Sequence, residues 1–123
     1  MITNFEYVQK ILQQILDSYY FLQNLKDQTG DLQIIKKELL KITGFFNVLQ
    51  IKIGTESYQT HDLLDLKSKI NSYSENYYFV KEIDTMSSLY STDKDRIKNM
   101  RLKVLESFQD KRLIDTMNEL MEK

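Results

Sequence analysis

The chain has 123 residues, a formal net charge of −1 and no Cys, with 41% hydrophobic and 28% charged residues. That length predicts a single domain, 1–123, large enough to bury roughly two thirds of its unfolded surface, and the balance of apolar and charged residues argues against disorder. Near-neutral charge excludes a molecule drawn as a whole to nucleic acid or acidic membranes, and the missing Cys excludes disulfides, thiolate catalysis and Cys-ligated metals.

Thr3 and Glu6 have the spacing of a capping box and predict the start of a first helix. Phe5, Val8, Leu12, Ile15, Tyr19 and Leu22 follow at alternating steps of three and four, which keeps them on one helix face. Gly30 is expected to end this helix and Asp31 to cap the next. The second stripe is Ile35, Leu39, Ile42, Phe46, Leu49 and Ile53, ending at Gly54. Over residues 45–54 two readings compete. Helix continues the stripe, whereas Leu49, Ile51 and Ile53 alternate as a strand would, with a hairpin turn at Gly54-Thr55. Helix is preferred, because no other segment reads as strand and a lone hairpin is marginal.

The third helix is expected near Thr60, with Asp62 in its first turn. Its stripe is Leu63, Leu66, Ile70, Tyr73, Tyr77, Val80, Ile83 and Met86, with a break or kink expected in the polar run 71–76. Tyr90-Ser91-Thr92 divides it from a fourth helix capped by Thr92. There Ile97, Met100, Val104 and Phe108 lead to Ile114, Met117 and Met121, interrupted at 109–112. Four helices with short connections predict an all-α, up-down four-helix bundle, with the third or fourth helix kinked or split.

Chemistry-bearing motifs are sparse. The three glycines are isolated, so no phosphate-cradling loop exists, and a single His excludes a His-pair metal site within one chain. No catalytic residue, metal site or cofactor is expected, and the chain is read as a non-enzyme. His61 with Asp62 and Asp65 is the one cluster resembling an acid–base or metal site; a polar helix start explains it more simply. Lys94, Arg96, Lys98, Arg101 and Lys103 place a basic face on the fourth helix, which a nucleic-acid backbone could use. An ordinary solvated face is the plainer alternative. Lys36, Lys37 and Lys41 form a weaker cluster offset by Glu38.

Eight tyrosines are more suggestive. Tyr19-Tyr20 and Tyr77-Tyr78 are adjacent pairs whose members cannot point the same way on a helix. Tyr20 and Tyr78, extended by Phe21 and Phe79, are the candidate protein-binding residues. Ile11, Leu16, Leu40, Phe45 and Ile51 also fall off the narrowest stripes, and either widen the core or add partner surface.

Three functions follow in order of preference. The first is a small protein-binding module of the adaptor, inhibitor, immunity or phage-antagonist kind. The second is a helical nucleic-acid-binding subunit of a ribonucleoprotein, using the fourth helix. The third is a structural homo-oligomer, since heptad-like stripes without Ala suit helices shared between subunits. No apolar run approaches the roughly 20 residues of a membrane span, so no membrane partner is expected. Residues 1–14 lack the basic start and apolar core of a signal peptide, so a cytoplasmic location is expected. Pro and Ala are absent while Lys, Ile, Asn and Tyr abound, a bias of AT-rich genomes that makes AT-rich bacteria, their phages and plasmids, and some AT-rich eukaryotes the candidate sources.

Overall fold

The computed structural model describes residues 4–55 and 60–123. Among these are six α-helices and no strand: α1 Asn4–Gln23, α2 Asp31–Thr55, α3 His61–Asn76, α4 Val80–Tyr90, α5 Lys94–Ser107 and α6 Leu113–Met121, with a 3-10 turn at Asp110–Arg112. The all-α expectation holds; the expected count of four does not, because the third and fourth stripes are each divided in two. The capping box at Thr3 lies outside the described residues.

Residues 45–54 are helical, so the strand and hairpin alternative is overturned. Burial gives the reason. Leu49 and Ile53 are fully buried, while Ile51 between them is 69% exposed. A strand would place all three on one face; a helix turns Ile51 outward and keeps Phe46, Leu49 and Ile53 in the core.

Gly30 plays a different part from the expected one. Helix α1 stops at Gln23, and the link turns at Asp27, which adopts a left-handed backbone at φ 62°. Gly30, at φ 96°, stands at the start of α2, where its carbonyl accepts from the backbone N–H of Gln33 and Ile34. It therefore closes the first turn of α2 rather than the last of α1. Asp31 is already inside α2, and its carboxylate accepts from the N–H of Gln28, bracing the link instead of capping forward. Thr60 does cap α3, accepting from Leu63 N at 3.2 Å. The cap of α5 is Asp93 rather than Thr92; its carboxylate accepts from Arg96 N.

Helix α1 packs against α2, α5 and α6, and α2 also touches α3, α4 and α5. The sense of each contact is fixed by pairs near its ends. Gln9, early in α1, donates to the Leu120 carbonyl late in α6 at 2.9 Å. Lys36 and Gln33, early in α2, meet Asp84 and Ser87 in α4 at 2.8 and 2.7 Å, while Gln50, later in α2, bonds Asn71 of α3. Between the helices lies one apolar cluster that includes Leu12, Ile15, Ile35, Ile42, Phe46, Leu66, Ile70, Val104, Phe108 and Met117. Ile11 and Leu16 are buried in it, and Phe45 packs against it half-buried, so part of the surplus apolar arc widens the core.

Gly44 lies in the middle of α2 on the exposed side, and a Cβ added there would meet nothing within 4 Å. Ala is favoured over Gly in a helix interior by about 0.5–1 kcal/mol. Gly44→Ala is therefore expected to raise stability by about that amount, read as a higher urea midpoint with an unchanged slope. A lower midpoint would show that the site is not free.

Candidate functional site

The basic face of the fourth stripe falls on α5, and three of its five members are held by neighbouring carboxylates. Arg101 turns inward. Its guanidinium grips the Asp27 carboxylate from Nε at 2.7 Å and Nη2 at 3.2 Å, and Nη1 donates to the Gln23 carbonyl at the end of α1. The Arg101 and Asp27 side chains are only 11% and 10% exposed. Arg101 thus serves as the C-terminal cap of α1, where a cation suits the helix dipole. Arg96 pairs with Asp93 at 3.2 Å and lies over the Tyr90 ring, 3.7 Å from its centroid. Lys103 is held by both carboxylate oxygens of Glu82 in α4, at 2.8 and 3.0 Å. Lys94 and Lys98 are exposed. Of the weaker cluster, Lys36 pairs with Asp84 and Lys41 lies 3.6 Å from Glu38.

The aromatic quartet divides. Tyr20 and Phe21 are 41% and 46% exposed on α1, and Tyr78 is 77% exposed in the link between α3 and α4. Phe79 is 6% exposed and belongs to the core, so it leaves the candidate surface. The reason is the position of the break. Helix α3 ends at Asn76, Tyr77 takes an extended backbone at φ −131°, and the link turns Phe79 inward, stacked on Tyr77 at 5.9 Å. Tyr20 is hydrogen-bonded to Asn118 of α6, whereas Tyr78 faces a groove shared with α5. Successive residues on a helix diverge by about 100°, so Phe21 points away from Tyr20.

The groove, about 660 Å³, opens where the two broken stripes meet. Tyr78 forms its rim, with Tyr77, Glu82, Lys103, Glu106 and Asp110 among its lining. Two of its lining rings, Phe79 and Tyr77, pack onto a deeper pair. Phe79, Tyr77, Tyr73 and Phe108 follow one another as a column of rings, with centroids 5.9, 5.0 and 4.8 Å apart. The Tyr77 hydroxyl donates to the Asp110 carboxylate at 3.0 Å and so ties the α3–α4 link to the 3-10 turn before α6. That bond, together with the negative charge of Asp110 and Glu106, raises the Tyr77 hydroxyl above its ordinary range, so it stays a neutral donor. Three carboxylates against one lysine leave the lining negative.

Deeper in the column, burial pushes the Tyr73 hydroxyl well above its ordinary value of 10.0, partly countered by its bond to Ser107 at 3.1 Å. A raised folded-state value means stability that is fully present below the unfolded value and declines as pH rises above it, since the unfolded tyrosine ionises first. Urea midpoints from about pH 8 to about pH 11 should fall more steeply for the native chain than for Tyr73→Phe. Parallel pH profiles would remove Tyr73 as the cause.

His61, Asp62 and Asp65 do not converge. His61 is exposed, Asp62 is engaged by Lys123, and Asp65 pairs with Lys69 at 3.1 Å. The Lys123 ammonium holds the Asp62 carboxyl below its ordinary range, while Asp62 raises Lys123. Among the described residues no group of His and carboxylates is placed to hold a metal ion, and no helix is long and apolar enough to cross a membrane.

A second exposed feature is the back of α2. Leu40, Val48 and Ile51 are 49%, 38% and 69% exposed and share one side with Gly44, opposite the buried stripe. Residues 42–51 carry no charge. Leu40 and Ile51 drew notice in the sequence as surplus apolar residues; Val48 and the vacancy over Gly44 did not. The groove residues Glu82, Glu106, Gln109 and Asp110 were also missed. They come together through two chain breaks: the one at 109–112 falls where the fourth stripe is interrupted, whereas the other lies past the polar run 71–76, after Asn76.

Compared with known proteins, the chain matches no family model, no curated protein and no solved structure.

Proposed function

We propose that this chain is a small non-enzymatic protein-binding module, of the adaptor, inhibitor, immunity or phage-antagonist kind, whose partner docks on the groove rimmed by Tyr78. One observation carries the reading: a tyrosine that is 77% exposed stands over a groove floored by packed rings. Exposing so much aromatic surface to water is unfavourable, and a rigid aromatic on a rigid base is the usual anchor of a protein interface. The negative lining selects a partner segment that is apolar with flanking Lys or Arg. The architecture that goes with this reading is four antiparallel columns in up-down order, the third formed by α3 and α4 and the fourth by α5 and α6. A cytoplasmic site of action in a bacterial or phage setting completes the proposal.

The nucleic-acid reading loses support, because Arg96, Arg101 and Lys103 are already engaged by Asp93, Asp27 and Glu82. The test is quantitative affinity capture from a bacterial lysate with and without nuclease, comparing the native chain with Tyr78→Ser and Phe21→Ser. Tyr78 is too exposed for its loss to unfold the chain. A protein held in stoichiometric amount by the native chain and Phe21→Ser, and depleted at least about tenfold with Tyr78→Ser, is the expected result. Equal capture by all three would remove the groove as the docking site, and material lost to nuclease would restore the exposed lysines of α5.

A further inference from the structure

The Tyr78 groove already holds one cation, and it is the chain's own. The Lys103 ammonium is gripped by the Glu82 carboxylate at 2.8 and 3.0 Å and lies over the Phe79 ring, 6.0 Å from its centroid. A carboxylate together with an aromatic face is a favourable setting for an alkyl cation. The same groove carries a second pairing of this kind. Tyr78 presents a ring that is 77% exposed, and the Glu106 and Asp110 carboxylates line the groove with it. Both carboxylates act on the Tyr77 hydroxyl, which donates to Asp110 Oδ2 at 3.0 Å and leaves Oδ1 as an acceptor. Among the described residues, no lysine or arginine of the chain is paired with Glu106 or Asp110.

We propose that this second pairing takes an arginine of the partner, whose guanidinium stacks on Tyr78 and donates to Glu106 and Asp110. The inference rests on the reading of the groove as a docking site and names the residue that docks there. Charge and shape select it. With Lys103 neutralised by Glu82, the lining leaves two negative charges for the occupant to meet. Other nearby cations do not meet them. Arg112 pairs with Asp115 and Glu119, Lys111 lines a separate, smaller hollow with Lys69, and Lys81 is not among the lining residues. A purely apolar anchor would cover the two carboxylates without giving them a partner, which is unfavourable. An ammonium is a compact, strongly hydrated point charge. A guanidinium is planar, stacks on a tyrosine face and carries five donors, so it serves a ring and two carboxylates at once. Lys103 stands beside the arginine as a like charge and so tempers its affinity.

The experiment is selection of a phage-displayed library of short random peptides on the full chain, followed by affinity measurement with the selected peptide made synthetically. The native chain should enrich peptides that carry an arginine at a fixed place among apolar residues, and Tyr78→Ser should retain none of them. Citrulline in place of that arginine keeps the planar shape and removes the charge. It should weaken binding at least about tenfold, and lysine at least about threefold. Glu106→Gln should weaken the arginine peptide about tenfold and leave the citrulline peptide within about twofold, a coupling that a change confined to the fold would not produce. Lys103→Gln should tighten the arginine peptide. Glu106 and Lys103 are both exposed, so each variant should keep its helical signal. Peptides that need Tyr78 but carry no arginine, or bind equally well with citrulline, overturn the arginine and leave the groove as the docking site. Weaker binding of the arginine peptide by Lys103→Gln overturns it as well. Peptides retained by Tyr78→Ser, or no enrichment at all, overturn both the arginine and the groove.

Discussion

Phe108→Ala is expected to lower stability by about 3–5 kcal/mol, the largest loss of any single truncation in the chain. The ring is fully buried and meets three others: Tyr73 in a parallel stack at 4.8 Å, and Tyr19 and Phe46 edge-on at 6.1 and 6.2 Å. Those partners come from α3, α1 and α2, so one side chain at the end of α5 joins four helices. Its removal leaves a void bounded by rigid rings, which relax poorly into the space, and so the cost belongs at the upper end for aromatic truncation. The loss also undermines the groove, because the column beneath Tyr77 rests on Phe108. Urea denaturation of the variant checks this directly. A loss under about 1.5 kcal/mol would mean that the surrounding rings collapse into the vacancy.

Arg101→Ala is expected to cost about 3 kcal/mol, far more than an ordinary surface ion pair. Truncation would leave the Asp27 carboxylate largely buried without its cation and would free the Gln23 carbonyl at the end of α1. It would also release Asp27 from the contact that holds its left-handed backbone in place. Arg101→Lys is expected to recover less than half of the loss. An ammonium cannot supply two parallel bonds to the carboxylate and a third to the carbonyl from one planar group. The comparison is made by denaturation at low and high salt. A loss for Arg101→Ala below about 1 kcal/mol, or one abolished by salt, would return the pair to the surface class.

Arg101 also shows where sequence reading stops. Its spacing from Lys94 and Lys98 places the three on one face, and that much is geometry. What turns Arg101 inward is Asp27, 74 residues away in a link with no periodic signal. The stripes themselves were legible, because burial at steps of three and four is a local property of a helix. Val8, Leu12, Ile15, Tyr19 and Leu22 are all buried as expected, as are Ile35 through Ile53 of the second stripe. Helix ends were less legible. The polar run 71–76 predicts a break, but α3 runs through it to Asn76, and the displacement to Tyr77 reorients everything after it. Phe79 was misplaced for that reason alone. The vacancy over Gly44 could not be read either, since a glycine at mid-helix says nothing of what lies above it until the neighbouring helices are in place.

The second break has a consequence of its own. Lys111 and Arg112 are both left-handed, at φ 54° and 58°, a conformation that costs a non-glycine residue about 1–2 kcal/mol. This turn is tied to the other break by the bond from Tyr77 to Asp110. The two interruptions therefore lie at one level of the molecule, while α1 and α2 run past them unbroken. At that level the half of the fold containing α3 and α6 joins the half containing α4 and α5 through loop torsions rather than helical ladders. The molecule has a waist, spanned on one side by two continuous rods and on the other by two loop connections that the Tyr77–Asp110 bond ties together, and a partner seated beside Tyr78 would straddle it.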